Sequence, residues 1–393
     1  MTTLGARLDA ATSHLAAPLV VVDLDALEAN ATDLLRRAAG VPVRVASKSV
    51  RVRAVLERVL GRTGFAGVMA FSLREALWLV SCGVRDVLVG YPTVDVTALA
   101  DLARDPVAAA EVTLMVDDTA QLDLVARAAR AGGASVRVCL DVDASLRLGA
   151  GPFRAHLGTR RSPVHTPGEA AVLARHASGL AGVIVRGVMF YEAQVAGMPD
   201  TSLAVRLVKR ASIAELASRR SAVVAAVEGA LGYSLSLVNS GGSGSLEASV
   251  SDGVVTEATA GSGLFVPTLF DRYRSFDPRP AAFFGLDVVR RPAPGYATAF
   301  GGGYVASGPA SRSRLPRPVA PAGLLLTGRE GAGEVQTPLH GPGADSLRVG
   351  DRVWFRHAKS GEVMERFDVV HLVRGERVVE SVPTYRGESR TFG

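Results

Sequence analysis

Lysine is almost missing from this chain. Of 393 residues, 44 are lysine or arginine, and only Lys48, Lys209 and Lys359 are lysine, which leaves 41 arginines. GC-rich coding produces such a bias, so the net charge of +6 says little about a nucleic-acid partner. The arginines stand singly or in pairs among acids, without a basic stripe or interleaved aromatics, which argues against a nucleic-acid interface. Cysteine is equally scarce. Cys82 and Cys139 are the two cysteines, lie in apolar segments and lack a CxxC partner, so neither a disulfide scaffold nor a zinc ribbon is expected. Two reduced thiols in the cytoplasm are. The N-terminus has no charged start followed by an apolar core, so no signal peptide is expected. No apolar run approaches the ~18 uninterrupted residues of a membrane span, and no membrane association is expected.

What the chain does have is alternation. With 48% hydrophobic residues it can build a sizeable core, and its length fits a barrel-sized domain and a smaller one. From Pro18 short β-branched runs alternate with longer Ala/Leu/Arg stretches of helical spacing, the texture of βα units around a parallel sheet. Strands are expected at 19–23, 43–47, 67–72, 87–91, 112–116, 136–141, 183–191 and 236–239. Asp23, Ser72, Asp95 and Thr166 are expected to cap the helices that follow them. Eight strands within ~240 residues fit a (β/α)8 barrel over residues 18–265. A doubly wound nucleotide-binding sheet would ask for a glycine-rich turn after the first strand, and VVVDLDALEAN has no glycine. After about Phe265 proline and glycine become frequent and long helices disappear. Residues 266–393 therefore read as a mostly-β second domain, and residues 1–17 are assigned with it, although they could pack on either.

In such a barrel, reactive side chains gather where strands end. Lys48 follows a strand in RVASKSVR, Arg147 lies in DVDASLRLGAG, Tyr191 ends RGVMFYEAQ, and the loop NSGGSGS holds Gly241, Gly242 and Ser243. In a chain that uses arginine almost everywhere, a lysine at a barrel mouth is needed for something that arginine cannot do. A neutral amine forms Schiff bases. A surface lysine capping a strand end is the bland alternative. Gly/Ser loops usually just connect, but two of them (240–245 and 261–263, with Ser262) beside a Schiff-base lysine suggest a phosphate cup and pyridoxal phosphate. Lys209 reads as a solvated mid-helix residue.

The segments PLVVVDLDALEAN and RVASKS resemble the opening of alanine-racemase-like barrel proteins that bind pyridoxal 5′-phosphate. AFSLREALWLVSCGVRDVLVGYP, DVDASLRLGAG, FYEAQ, VNSGGSGS, VVTEATAGSGLF and VVRRPAPGYATAFGGG are similar to the D-threonine aldolase and D-serine dehydratase branch. The resemblance implies that Lys48 carries the cofactor and that Arg147 lies near its phenolic oxygen. It also implies Tyr191 near the pyridine nitrogen, and Gly241, Gly242, Ser243 and Ser262 around the phosphate. It further implies a homodimer with shared active sites and a small amino-acid substrate.

One departure stands out. Those enzymes set a divalent metal in the second domain with a His-x-Asp or His-x-Cys pair, and here the stretch reads FRHAKSGEVMERF. His357 is present, and Lys359 occupies the second ligand position, which an ammonium cannot fill. Three readings stand side by side: Lys359 replaces the ion, His357 holds it with Glu362 or Glu365, or the stretch is an ordinary loop. The expected activity is retro-aldol cleavage of D-β-hydroxy-α-amino acids, with His357 and Lys359 handling the hydroxyl. The alternatives are β-elimination, racemisation and a non-catalytic carrier of the cofactor.

Overall fold

The computed structural model describes residues 3–149, 155–198, 200–274 and 278–392. The Ala150-Gly151 end of DVDASLRLGAG and Met1 and Thr2 of the N-terminal segment lie outside these. Strands run in the order β1 (Leu19–Asp23), β2 (Val43–Ala46), β3 (Phe65–Ala70), β4 (Val87–Val89), β5 (Val112–Val116) and β6 (Val136–Val142). A short hairpin of β7 (Leu146–Leu148) and β8 (Ala155–Leu157) precedes β9 (Val183–Phe190), β10 (Leu237–Ser240) and β11 (Glu257–Ala260). The later strands are β12 (Ala282–Arg290), β13 (Tyr296–Phe300), β14 (Arg317–Ala320), β15 (Leu325–Leu326), β16 (Gln336–His340), β17 (Arg352–Arg356), β18 (Val369–Arg374) and β19 (Arg377–Pro383).

Two compact units form. One comprises residues 34–47 and 57–261 with the last two residues, the other residues 1–33, 48–56 and 262–391. The first is a closed parallel barrel in the order β10-β11-β2-β3-β4-β5-β6-β9. Its strands are short apolar runs such as VLV and VTLMV, buried at every position, as expected where helices cover the outer face and side chains fill the inner one. Ser72, Asp95 and Thr166 cap their helices as the sequence predicts. Each side chain accepts an amide N–H of the first turn, and Thr166 forms a capping box with Glu169. Leu88, Met115, Cys139, Met189 and Leu237 form one layer of the interior. With a side-chain period of two along a strand, Asp117, Asp141, Tyr191 and Asn239 make the next layer toward the C-terminal mouth.

The opposite end is charged. Arg44, fully buried on β2, donates to Glu257 of β11 from Nε at 2.6 Å and to Asp86 before β4 at 2.8 Å, while Arg186 of β9 also binds Asp86. Burial opposes the charge on Asp86, but the hydrogen bond from Arg186 and the charge of Arg44 outweigh it and hold the carboxyl at about 2. The sequence reading missed β11. Its residues, EATA, lack the β-branched run that marks the other strands, because Glu257 is there to meet Arg44.

The second unit is built on a sheet of nine strands among the described residues, along the path β15-β16-β13-β12-β1-β18-β19, with β17 against β12 and β14. β1 corrects the sequence reading, which made it the first barrel strand. Val20–Val22 instead lie antiparallel to β12 and parallel to β18. An all-buried LVVVD run suits the centre of either sheet, so periodicity alone cannot choose. The helix Leu4–Thr12 belongs to the same core, where Leu8 and Ala11 pack with Leu19, Val21, Phe283 and Trp354. Lys209 also departs from expectation. On helix Leu203–Leu231 it is 9% exposed, and burial lowers its pKa.

Arg44→Ala should cost about 3–5 kcal/mol, because it leaves Glu257 buried without its countercharge and Asp86 with Arg186 alone. Urea unfolding followed by circular dichroism measures this. A loss below about 1 kcal/mol would mean that the two carboxylates find water in place of the guanidinium.

Candidate active site

Lys48 lies in a single 3-10 turn, Ser47–Ser49, directly after β2. Ser47 fixes the start of this turn by donating from Oγ to the Met69 carbonyl at 3.0 Å. Lys48 thus follows what is, once β1 is removed, the first barrel strand rather than the second. The backbone just beyond is forced into a sharp path. Arg51 has φ +52°, its Nε donates to the Lys48 carbonyl at 3.3 Å, and Nη1 pairs with Glu365 at 2.8 Å.

The turn after β17 is laid against this lysine. Gly361 has φ +91°, and a Cβ there would stand 1.8 Å from the Lys48 carbonyl oxygen and 3.0 Å from Ser49 Cα. Only glycine permits both the left-handed conformation and the approach. The same segment carries His357, Lys359 and Ser360. His357 is 2% exposed, and its Nε2 stands 3.3 Å from Ser360 Oγ, which in turn donates to the Ser262 carbonyl at 3.3 Å. Lys359 Nζ donates to Ser307 Oγ at 2.9 Å. A cavity of about 40 Å³ opens between His357, Lys359, Tyr304 and Glu362, room for a water molecule or a hydroxyl group. Four residues singled out in the sequence (Lys48, Ser262, His357 and Lys359) therefore belong to one compact unit.

Burial, with the charge of Arg356 beside it, pushes the His357 imidazole down to about 3, so the ring is neutral near pH 7 and acts as an acceptor or a neutral donor. The acids expected to join His357 at a metal are engaged elsewhere. Among the described residues no group of three His, Cys, Asp or Glu side chains could hold an ion. Glu365 is paired with Arg51, and Glu362 accepts the Ser307 amide N–H at 2.8 Å.

In the barrel unit, Arg147 is held by Asp143, its Nη2 at 2.6 Å from the carboxylate. Burial opposes the charge on Asp143, but hydrogen bonds from His165, Ser145 and Arg147 keep its pKa well below the usual carboxylate range. Tyr191 follows β9. Its surface is 37% exposed, yet its hydroxyl lies deep enough for burial to raise its pKa. The Gly/Ser loop follows β10 and rests on a group that the sequence reading missed, Glu192. This buried carboxylate accepts Ser240 Oγ and Ser245 Oγ, each at 2.9 Å, Ser249 Oγ, and the Gly241 amide N–H at 3.3 Å. Gly242 N–H donates to Ser245 Oγ at 3.1 Å, and Ser243 Oγ accepts the Gly261 amide N–H at 3.2 Å. Two of the amides expected to cradle phosphate are thus engaged, Gly241 by Glu192 and Gly242 within the loop. Gly241 is needed for its φ of +104°, and a Cβ on Gly242 would come within 2.8 Å of Ala196 Cβ. Glu192 was hidden because its partners are four serines and glycines scattered over ten residues, with no spacing that advertises a carboxylate.

A lysine just past one barrel strand and a braced Gly/Ser loop past another define a barrel protein of the type that carries pyridoxal 5′-phosphate. The chain belongs to the family described as alanine racemase, N-terminal domain, whose profile matches residues 22–266, and pyridoxal phosphate is the cofactor of this group. It is 28% identical over 254 residues to D-threonine aldolase of Arthrobacter sp, a match covering 63% of this chain and 61% of that protein. It is 27% identical over 265 residues to 3-hydroxy-D-aspartate aldolase of Paracoccus denitrificans (strain Pd 1222), covering 66% and 63%. The matched region thus spans a little over three-fifths of each relative. The crystal structure of D-threonine aldolase from Filomicrobium marinum superposes with a TM-score of 0.79 at 23% identity, covering 95% of this chain and 96% of that one. It shares the fold.

The buried imidazole makes stability pH-dependent. Between the ordinary value of 6.5 and about 3, the unfolded chain takes up a proton at His357 that the native protein refuses. Stability therefore falls as pH falls, by up to about 1.4 kcal/mol per unit from this group. His357→Asn should flatten the slope of unfolding free energy between pH 4 and 6.5. A slope identical to the wild type would mean that the native imidazole is protonated.

Proposed function

We propose that this chain is a pyridoxal-phosphate-dependent lyase that cleaves D-β-hydroxy-α-amino acids between Cα and Cβ, releasing glycine and an aldehyde. The observation that supports this best is the close approach of Gly361 to the Lys48 carbonyl, which holds a hydroxyl-handling segment against the lysine expected to carry the cofactor. When bound, pyridoxal phosphate supplies an aldehyde that captures the substrate amine and a ring that accepts the electrons left on Cα. The rest is the work of side chains. Lys48 is the amine that holds the cofactor's aldehyde. Tyr191 and Arg147 hold its ring, and the loop of Gly241, Gly242 and Ser243, together with Ser262, receives its phosphate.

His357, neutral by burial, accepts a hydrogen bond that orients the β-hydroxyl, a base beside it takes the hydroxyl proton, and the Lys359 amino group donates a hydrogen bond to the oxygen as its C–O bond becomes a carbonyl. A dehydratase would instead need an acid to expel hydroxide. The names of the matched aldolases favour D-threonine and 3-hydroxy-D-aspartate as substrates. The same resemblance implies a homodimer with shared sites, and the unpaired Cys82 and Cys139 suit a reducing cytoplasm. Among the described residues no helix is long and apolar enough to cross a membrane.

Purified protein given D-threonine should yield glycine and acetaldehyde, and Lys48→Ala should lose both this activity and the visible absorbance of bound cofactor. Ammonia and a keto acid as main products, or conversion to an isomer alone, would overturn the aldolase reading. Absorbance that persists in Lys48→Ala would overturn the assignment of the lysine.

A further inference from the structure

Beyond the residues given roles above, one arginine near the barrel mouth, Arg161, stands on aromatic rings and has no anionic partner among the described residues. Most of the arginines on neighbouring elements are spent. Arg147 pairs with Asp143 at 2.6 Å, Arg219 with Glu215 at 2.6 Å, and Arg220 with Asp252. Arg161 differs. Among the described residues it makes no hydrogen bond and no ion pair. Its guanidinium carbon instead stands 5.3 Å from the ring centroid of Tyr191 and 5.8 Å from that of Tyr91. Both rings belong to segments that leave the C-terminal ends of barrel strands, Tyr191 directly after β9 and Tyr91 two residues past β4.

The arginine is held in place by its neighbours. Ser162, 6% exposed, donates from Oγ to the Asp141 carbonyl at 2.7 Å, and the Val164 carbonyl accepts the Asp143 amide N–H at 2.7 Å. The loop bearing Arg161 is thereby stitched to β6. A guanidinium supported on aromatic faces keeps its N–H edges for a planar anion, and the carboxylate is the planar anion it fits best. Asp141 does not satisfy it. The charge of Asp141 is felt at Arg161, but burial and the neighbouring Asp117 push that carboxyl up to about 7, and no hydrogen bond joins the two.

We propose that Arg161 is the receptor for a carboxylate of the amino-acid substrate, held by Tyr191 and Tyr91 at the mouth of the barrel. This rests on the amino-acid lyase reading above. Two carboxylates could supply the chemistry, the α-carboxylate common to all substrates and the side-chain carboxylate of a hydroxyaspartate. An arginine that takes the side-chain group is a specificity residue that separates dicarboxylic substrates from threonine-like ones. One that takes the α-carboxylate orients every substrate.

The test is equilibrium binding of D-aspartate and D-alanine, which lack the β-hydroxyl and cannot undergo the retro-aldol step, to the cofactor-loaded enzyme by calorimetry. Arg161→Met, Arg161→Lys and, as a control for diffuse charge, Arg160→Met are compared with the wild type. Arg161→Met should weaken binding roughly ten- to hundredfold, Arg161→Lys less so, and Arg160→Met little. Loss confined to D-aspartate assigns the side-chain carboxylate, and loss for both ligands assigns the α-carboxylate. Either outcome supports the proposal. Unchanged binding in Arg161→Met, an equal loss in Arg160→Met, or a wild type that binds neither ligand overturns it. Cleavage is not part of the readout, so failure here is separable from failure of the aldolase reading. Cofactor absorbance and thermal unfolding of Arg161→Met verify that the variant is folded.

Discussion

The seam where the barrel closes is held by a buried charge. β2 and β11 pair in parallel, with Val43, Arg44 and Val45 opposite Ala258, Thr259 and Ala260, and Arg44 reaches from the one strand to Glu257 on the other. Taking a guanidinium and carboxylates out of water costs several kcal/mol per ion, so this arrangement persists because every member is answered. Asp86 accepts from both Arg44 and Arg186, and Asn239 donates to Glu257 at 2.7 Å. Lys48 follows β2 directly in the chain. Fixing the register of β2 at the seam fixes where the strand ends, and so where the lysine begins its turn.

In the same barrel unit, the Gly/Ser loop and the Arg147 segment rest on carboxylates that face inward to support them. Glu192 gathers three serine hydroxyls and a glycine amide under the Gly/Ser loop, and Asp143 draws in Arg147, His165 and Ser145. Both are anchors in the sense that each removes a polar group's freedom before a ligand arrives, which is how a site avoids the cost of ordering itself on binding. Arg161 is prepared differently, by aromatic support without a counterion, and so keeps its charge available.

Much of this was legible in the chain. The barrel followed from βα alternation, and the caps at Ser72, Asp95 and Thr166 fell where the hydroxyl or carboxylate preceded an amphipathic run. Lys48 was marked by the rarity of lysine. Residues whose partners lie far away in sequence were not legible. Glu192 meets Ser249 across 57 positions, and Arg44 meets Glu257 across 213. β11 was passed over because its four residues serve the pairing of that arginine more than a hydrophobic pattern. β1 was misassigned because a fully buried strand looks the same in a barrel and in the middle of a sheet.

The sequence by itself determined the class of fold and the helix starts at Ser72, Asp95 and Thr166, since these depend on local periodicity and capping. Tertiary structure alone decided which sheet takes β1. It also decided that Lys209 is buried, that Gly361 must be glycine because Lys48 passes beneath it, and that Arg161 meets no anion among the described residues. The reason is physical. Side-chain pattern records whether a residue is buried, but the identity of the neighbour depends on chain segments brought together only when the core closes.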